Sequence, residues 1–248
     1  MRVETFMIES DWISAAVRDL EEAQARAAAE GRGAEILLAG GSTPEPVYRA
    51  LAALPLAGPR PRLWLGDERA VPPGDPARNG TLISRCFSRV AWEGGVEFAL
   101  WPEGRPPEAA RAYEASLVAA LGPSPRFDLA LLGIGGDGHT AGLFPGDGAS
   151  EVALSPPTAP AEGDRLAFAT RAPSEPRERM SLGLEALAKV GVMRFLTRGE
   201  EKGAVLARLL AEEGKALPAR RLAEAAREGG ADLAFYHLDE GRGGAPKP

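Results

Sequence analysis

Short apolar runs recur along the chain at residues 3–8, 35–39, 62–65, 96–100, 127–134, 166–170, 192–197 and 233–237, separated by Ala-, Arg-, Glu- and Leu-rich stretches. The stretches at residues 12–30, 44–54, 109–121, 201–213 and 219–228 carry apolar residues three and four apart, the spacing of one helix face. Strand-sized runs alternating with helix-sized segments permit few architectures, because a parallel strand needs a long crossover before the chain re-enters the sheet. The pattern predicts an α/β fold, a mostly parallel sheet flanked by helices in a Rossmann-like three-layer arrangement. Residues 1–239 read as a single domain, with the Pro-rich stretch at 155–160 the best candidate break. Residues 240–248 have almost nothing to bury and predict a disordered tail.

Charge and cysteine usage narrow the partners. With 29 Lys+Arg against 35 Asp+Glu the formal net charge is −6, so the overall cationic surplus that holds a nucleic acid is missing and none is expected. Cys86 is the one cysteine and can form no internal disulfide, which agrees with a reducing compartment. His139 and His237 are the two histidines; with a single thiol they make a His/Cys zinc site improbable, and no metal is expected. No stretch approaches the ~18 apolar residues of a membrane span, and the N-terminus lacks an apolar signal core. A cytoplasmic protein, monomeric and acting on a small molecule, is the expectation.

Chemistry concentrates where the apolar runs end. The run at 35–39 leads through Gly40, Gly41, Ser42 and Thr43 into a helix start, where close backbone approach and unpaired N–H groups suit a phosphate. Ser42 and Glu45 also have capping-box spacing, which alone would account for the serine. After the run at 62–65 come Gly66, Asp67, Glu68 and Arg69. At the carboxyl end of a parallel strand Asp67 and Arg69 would face a ligand crevice, with Arg69 able to clamp an anion; an ordinary solvated Asp–Arg loop is the alternative. The run at 127–134 ends in Gly135, Gly136, Asp137, Gly138, His139 and Thr140. Gly133, Gly135 and Gly138 formally satisfy G-x-G-x-x-G, but Pro145 and Gly146 stand where a dinucleotide fold starts its helix and no second acidic strand end follows about 20 residues on. An imidazole beside a carboxylate on a glycine turn can instead act as a base toward water, whereas His237, in Phe235-Tyr236-His237-Leu238, reads as structural. Lys202, at a helix start where the dipole disfavours a cation, invites an anion; a solvated lysine explains it equally.

Taken together and in order, Ala39-Gly40-Gly41-Ser42-Thr43-Pro44, Gly66-Asp67-Glu68-Arg69 with Asn79 downstream, the turn from Gly133 to Ala141 with Leu143-Phe144-Pro145-Gly146, Arg179-Met180-Ser181-Leu182 and Gly199-Glu200-Glu201-Lys202 resemble the 6-phosphogluconolactonase family, within the group that includes glucosamine-6-phosphate isomerase/deaminase. The resemblance implies hydrolysis of 6-phosphoglucono-δ-lactone without a cofactor. It implies His139 as the base, Asp137 orienting it or holding substrate hydroxyls, and Gly40, Gly41, Ser42, Thr43, Asp67, Arg69, Arg179 and Lys202 on the phosphate and adjacent groups. The deaminase relatives carry Phe-Asn-Glu-Pro where this chain has Gly142-Leu143-Phe144-Pro145, so their ring-opening glutamate is Phe144 here. Ala77 and Arg78 precede Asn79 where lactonases usually have Asp-Ser. A sugar-phosphate sensor would use the same pocket without turnover, but it has no use for a base beside the carbonyl carbon.

Overall fold

The computed structural model describes residues 1–56, 58–90, 95–155 and 165–241. Its main sheet contains β1 (Arg2–Phe6), β2 (Glu35–Leu38), β3 (Arg62–Leu65), β5 (Glu97–Ala99), β6 (Phe127–Gly133), β9 (Val190–Arg198) and β10 (Asp232–Leu238), with β4 (Asp67–Arg69), β7 (Ala167–Arg171) and β8 (Glu178–Leu182) in a second sheet. The main sheet runs β1-β10-β9-β6-β2-β3-β5 and every pairing in it is parallel. Helices α1 (Glu9–Ala29), α2 (Glu45–Ala53), α3 (Asn79–Cys86), α4 (Pro106–Leu121), α5 (Gly148–Ala153), α6 (Leu184–Leu187), α7 (Glu200–Leu210) and α8 (Pro218–Glu228) connect the strands. The central strands are buried on alternate and intervening residues alike, Leu129, Ala130, Leu131 and Leu132 among them, as a parallel sheet covered on both faces requires. This is the predicted three-layer α/β architecture.

The strand order fixes where a ligand can sit. From β2 the chain proceeds to β3 and β5 on one side, whereas β6, β9 and β10 lie on the other, with β2 and β6 adjacent at Ile36↔Leu129. The connections after β2 and β6 therefore leave the sheet in opposite directions and open a crevice at its carboxyl edge.

One apolar run departs from the expectation of a single sheet. Residues 167–171 form β7 in a three-stranded antiparallel sheet, β4-β8-β7, that continues from the end of β3. Gly66 marks the break between the sheets, its carbonyl accepting a hydrogen bond from Leu182 N at 2.8 Å. Of the candidate break at 155–160, residues 156–160 lie outside the described residues, as do residues 242–248 of the expected tail. Glu240 accepts a hydrogen bond from Arg198 Nε at 2.8 Å. Among the described residues no helix is long and apolar enough to cross a membrane.

A buried ion pair ties helix to sheet. Arg194 on β9, 3% exposed, donates to both carboxylate oxygens of Asp19 on α1 at 2.8 and 3.0 Å and to the Asp232 carboxylate on β10 at 2.6 Å. Removing one partner of such a pair leaves a charge with incomplete compensation in a dry interior, a loss of about 3 kcal/mol. Asp19→Ala is therefore expected to lower the unfolding free energy by about 3 kcal/mol in urea titration; a change within about 0.5 kcal/mol, the range of neutral surface substitutions, would contradict this role for the pair.

Candidate active site

The crevice at the carboxyl edge is a cleft of about 570 Å³. Each residue singled out from the sequence lines it: Gly40, Gly41, Ser42 and Thr43 after β2; Asp67 and Arg69 on β4; Asp137 and His139 after β6; Arg179 on β8; and Lys202 in the first turn of α7. Residues as far apart in sequence as Gly40 and Lys202 thus meet because successive strands end along one edge of the sheet.

The turn after β6 is built around the imidazole. His139 Nδ1 lies 2.6 Å from Asp137 Oδ1, and the His139 backbone N–H donates to the same oxygen at 3.0 Å. With Nδ1 held by the carboxylate, Nε2 is the ring nitrogen left for a ligand. Partial burial raises the Asp137 carboxyl, but the His139 side chain and backbone N–H outweigh it and bring the pKa down to about 2. The ring lies over Gly135, where any Cβ would fall inside the imidazole, so glycine is required by close approach. Gly138 N donates to Gly135 O and Gly135 N to His139 O, closing a tight turn; Ala219 N at the start of α8 bonds Gly138 O and braces it from behind. No helix follows the turn before α5 at Gly148, in agreement with the exclusion of a dinucleotide fingerprint. Phe144 packs against His139 with ring centroids 4.6 Å apart.

The opposite wall carries concentrated positive charge. Arg69 and Arg179 are direct cross-strand partners on β4 and β8, an arrangement that like charges disfavour. Burial and the nearby Arg69 both lower the Arg179 pKa. Asp67, 7% exposed, is raised by burial against the opposing pull of Arg69, Arg179 and His139, while Asp67, Glu68 and Glu175 all act on Arg179 in the sense opposite to Arg69. Lys202 adds a third cation and makes no hydrogen bond or ion pair among the described residues. Asp67, Asp137 and Glu175 line the same cleft, so what distinguishes this wall is that Arg69 and Arg179 are gathered side by side on it, an arrangement able to receive an anion.

Two details differ from the sequence reading. The capping box is not formed: α2 begins at Glu45 with no side-chain cap, and Glu45 instead accepts from Arg49 at 2.6 Å and from Arg85 at 3.0 Å. Ser42 is left exposed beside Gly41, whose φ of 95° demands glycine. Glu68, not singled out, is fully buried and accepts backbone N–H bonds from Arg69, Asn79 and Gly80, each at 2.7 Å. It anchors the start of α3 to β4. A charged residue flanked by two others gives no signal in sequence that it alone turns inward. His237 is structural as read, buried on β10 with Nδ1 3.1 Å from Thr197 Oγ1.

Residues 9–230 match the family model of glucosamine-6-phosphate isomerases/6-phosphogluconolactonase. The chain is 34% identical over 202 residues to the 6-phosphogluconolactonase of Synechocystis sp., covering 76% of each, and 34% identical over 211 residues to that of Caulobacter vibrioides, covering 83% of this chain and 86% of the relative. The 6-phosphogluconolactonase crystal structure from Thermotoga maritima superposes with a TM-score of 0.71 at 27% identity, covering 96% of this chain and 100% of that one. The one from Shewanella baltica superposes at 0.81 and 22% identity, covering 96% and 97%. With its parallel sheet, these site motifs and a match over residues 9–230, the chain belongs to the glucosamine-6-phosphate isomerase/6-phosphogluconolactonase family.

Proposed function

We propose that the chain hydrolyses 6-phosphoglucono-δ-lactone to 6-phosphogluconate, with His139 as general base. The observation that carries the reading is the Asp137–His139 pair at the sheet switch point, facing a wall of three cations. Asp137 holds Nδ1, so Nε2 takes a proton from water as the oxygen attacks C1 of the lactone. The carbonyl π electrons pass to its oxygen, and the resulting oxyanion is favoured by the cationic wall. When the tetrahedral intermediate collapses, the C1–ring oxygen bond breaks and the departing oxygen takes the proton from Nε2, which leaves the imidazole neutral again. Ionisation of the new carboxylic acid releases one proton to solvent. Gly40, Gly41, Ser42 and Thr43 supply backbone N–H groups and hydroxyls to the phosphate, Arg69, Arg179 and Lys202 balance the charge of phosphate and oxyanion, and Asp67 orients the arginines and accepts from sugar hydroxyls. No cofactor enters, since the lactone is already electrophilic.

Within the family the isomerase/deaminase chemistry is the competing reading. Phe144 argues against it, because an apolar ring rather than a carboxylate packs on His139. The relatives named 6-phosphogluconolactonase support the same choice.

The direct test follows hydrolysis of freshly generated lactone with a pH indicator. The protein is expected to exceed the spontaneous rate, His139→Ala to lose about a hundredfold to ten-thousandfold of that activity, and the unphosphorylated lactone to be a far poorer substrate. Equal rates for protein, variant and buffer would overturn the reading.

Gly135→Ala is expected to cost at least about a hundredfold in kcat/KM by pushing the imidazole off its seat. Gly148→Ala, where a Cβ meets nothing within 4 Å, is expected to leave activity unchanged.

The pH profile separates base from orienting group. Asp137 has a folded-state pKa of about 2, below the ordinary carboxyl value, so it is ionised above that range. Its contribution to stability is accordingly present above the unfolded carboxyl pKa and is lost as pH falls through about 2. Any loss of kcat/KM between about pH 9 and pH 5 then belongs to another group. Asp137→Asn is expected to lower the plateau yet keep a one-proton acid limb; disappearance of that limb would assign it to Asp137.

A further inference from the structure

Asn79 is a buried amide that the chemistry above leaves unused. It is 1% exposed, lies on the cleft wall and stands at the first residue of α3. Its Nδ2 donates to the Asp67 carbonyl at 3.0 Å, at the end of the β3–β4 segment. Its Oδ1 is one of three buried side-chain polar atoms without a hydrogen-bond partner among the described residues. That oxygen occupies the space over Gly40, where any Cβ would overlap the Asn79 amide. Its backbone N–H is fixed in turn by the fully buried Glu68 carboxylate at 2.7 Å.

A purely space-filling residue here would be apolar, because an unpaired buried carbonyl is costly. The amide is explained by what it joins. One end is bonded to the strand that carries Asp67 and Arg69, and the other presses on the first residue of the Gly40–Thr43 loop. Asn79 thus spans the carboxyl ends of β2 and β3 and sets the gap between the N–H-rich loop and the arginine wall.

We propose that Asn79 is a positioning residue for the substrate phosphate: by seating its amide between Gly40 and the Asp67 carbonyl it fixes the spacing of the two halves of the anion site. The proposal rests on the lactonase reading, in which those halves receive the phosphate. It does not involve the Asp137–His139 turn, which Asn79 does not touch. Loss of the amide therefore acts first on ground-state binding of the phosphorylated substrate, and reaches the chemical step only through the share of the arginine wall that meets the oxyanion.

The test is a double-mutant cycle on kcat and KM with the phosphorylated and unphosphorylated lactones. Asn79→Ala is expected to raise KM for the phosphorylated lactone about tenfold with kcat within about twofold, and to change kcat/KM for the unphosphorylated lactone little. Gly40→Ala is expected to raise KM about a hundredfold, because its Cβ displaces Asn79 and the loop together. In Gly40→Ala/Asn79→Ala that overlap is gone, so KM is expected to return to the level of Asn79→Ala alone. Asn79→Ser follows the same expectations if the alanine variant does not fold. Additive effects in the double variant, a fall in kcat at unchanged KM, or equal losses on both lactones would each overturn the proposal. A wild-type protein that does not exceed spontaneous hydrolysis would overturn the lactonase reading itself, which separates the two failures.

Discussion

The divergence of the chain on either side of the β2–β6 pair is the constraint from which the cleft follows. Parallel strands whose connections leave in opposite directions cannot close over their shared carboxyl edge, and the backbone N–H groups and short turns there have no helix to cover them. The loop after β2 and the turn after β6 face each other across that gap, and β4, continuing from β3, brings a charged wall to a third side. Behind this edge the central strands are apolar and buried at residues 36–38, 63–65 and 129–132, so the polar groups of the cleft gather where those strands end.

Like charges are brought together on one wall of the cleft. Arg69 and Arg179 stand opposite each other across an antiparallel pair with Asp67, Glu68 and Glu175 nearby, and Arg69 Nε is buried without a partner among the described residues. Binding of a phosphate dianion there, as the proposed function requires, would relieve that repulsion. The base side is built in the opposite way. Asp137 Oδ1 meets the imidazole Nδ1 and also accepts from the His139 backbone N–H, which holds the ring in one orientation before substrate arrives.

Much of this was readable from the chain. The parallel strands announce themselves as unbroken apolar runs, since burial on both faces removes the polar alternation. The glycine turn with Asp137 and His139 was legible because scarce residue types cluster where a strand must end. The small sheet was not. Asp67-Glu68-Arg69 carries three charges in a row, and its strand character comes entirely from pairing with β8, a long-range contact that no local pattern encodes. Short α3 escaped for a related reason, since its start is set by the Glu68 carboxylate rather than by a capping side chain of its own. Ser42 misled in the other direction: its spacing to Glu45 matches a capping box, but Arg49 and Arg85 take the glutamate.

The account stands or falls on which end of the substrate meets His139. A crystal structure with the product, 6-phosphogluconate, decides this directly. The account predicts the C1 carboxylate within about 3 Å of His139 Nε2, with the phosphate held away from it between the Gly40–Thr43 loop and the cationic side chains. A product bound with its phosphate against His139, or with C1 turned toward solvent, would contradict it.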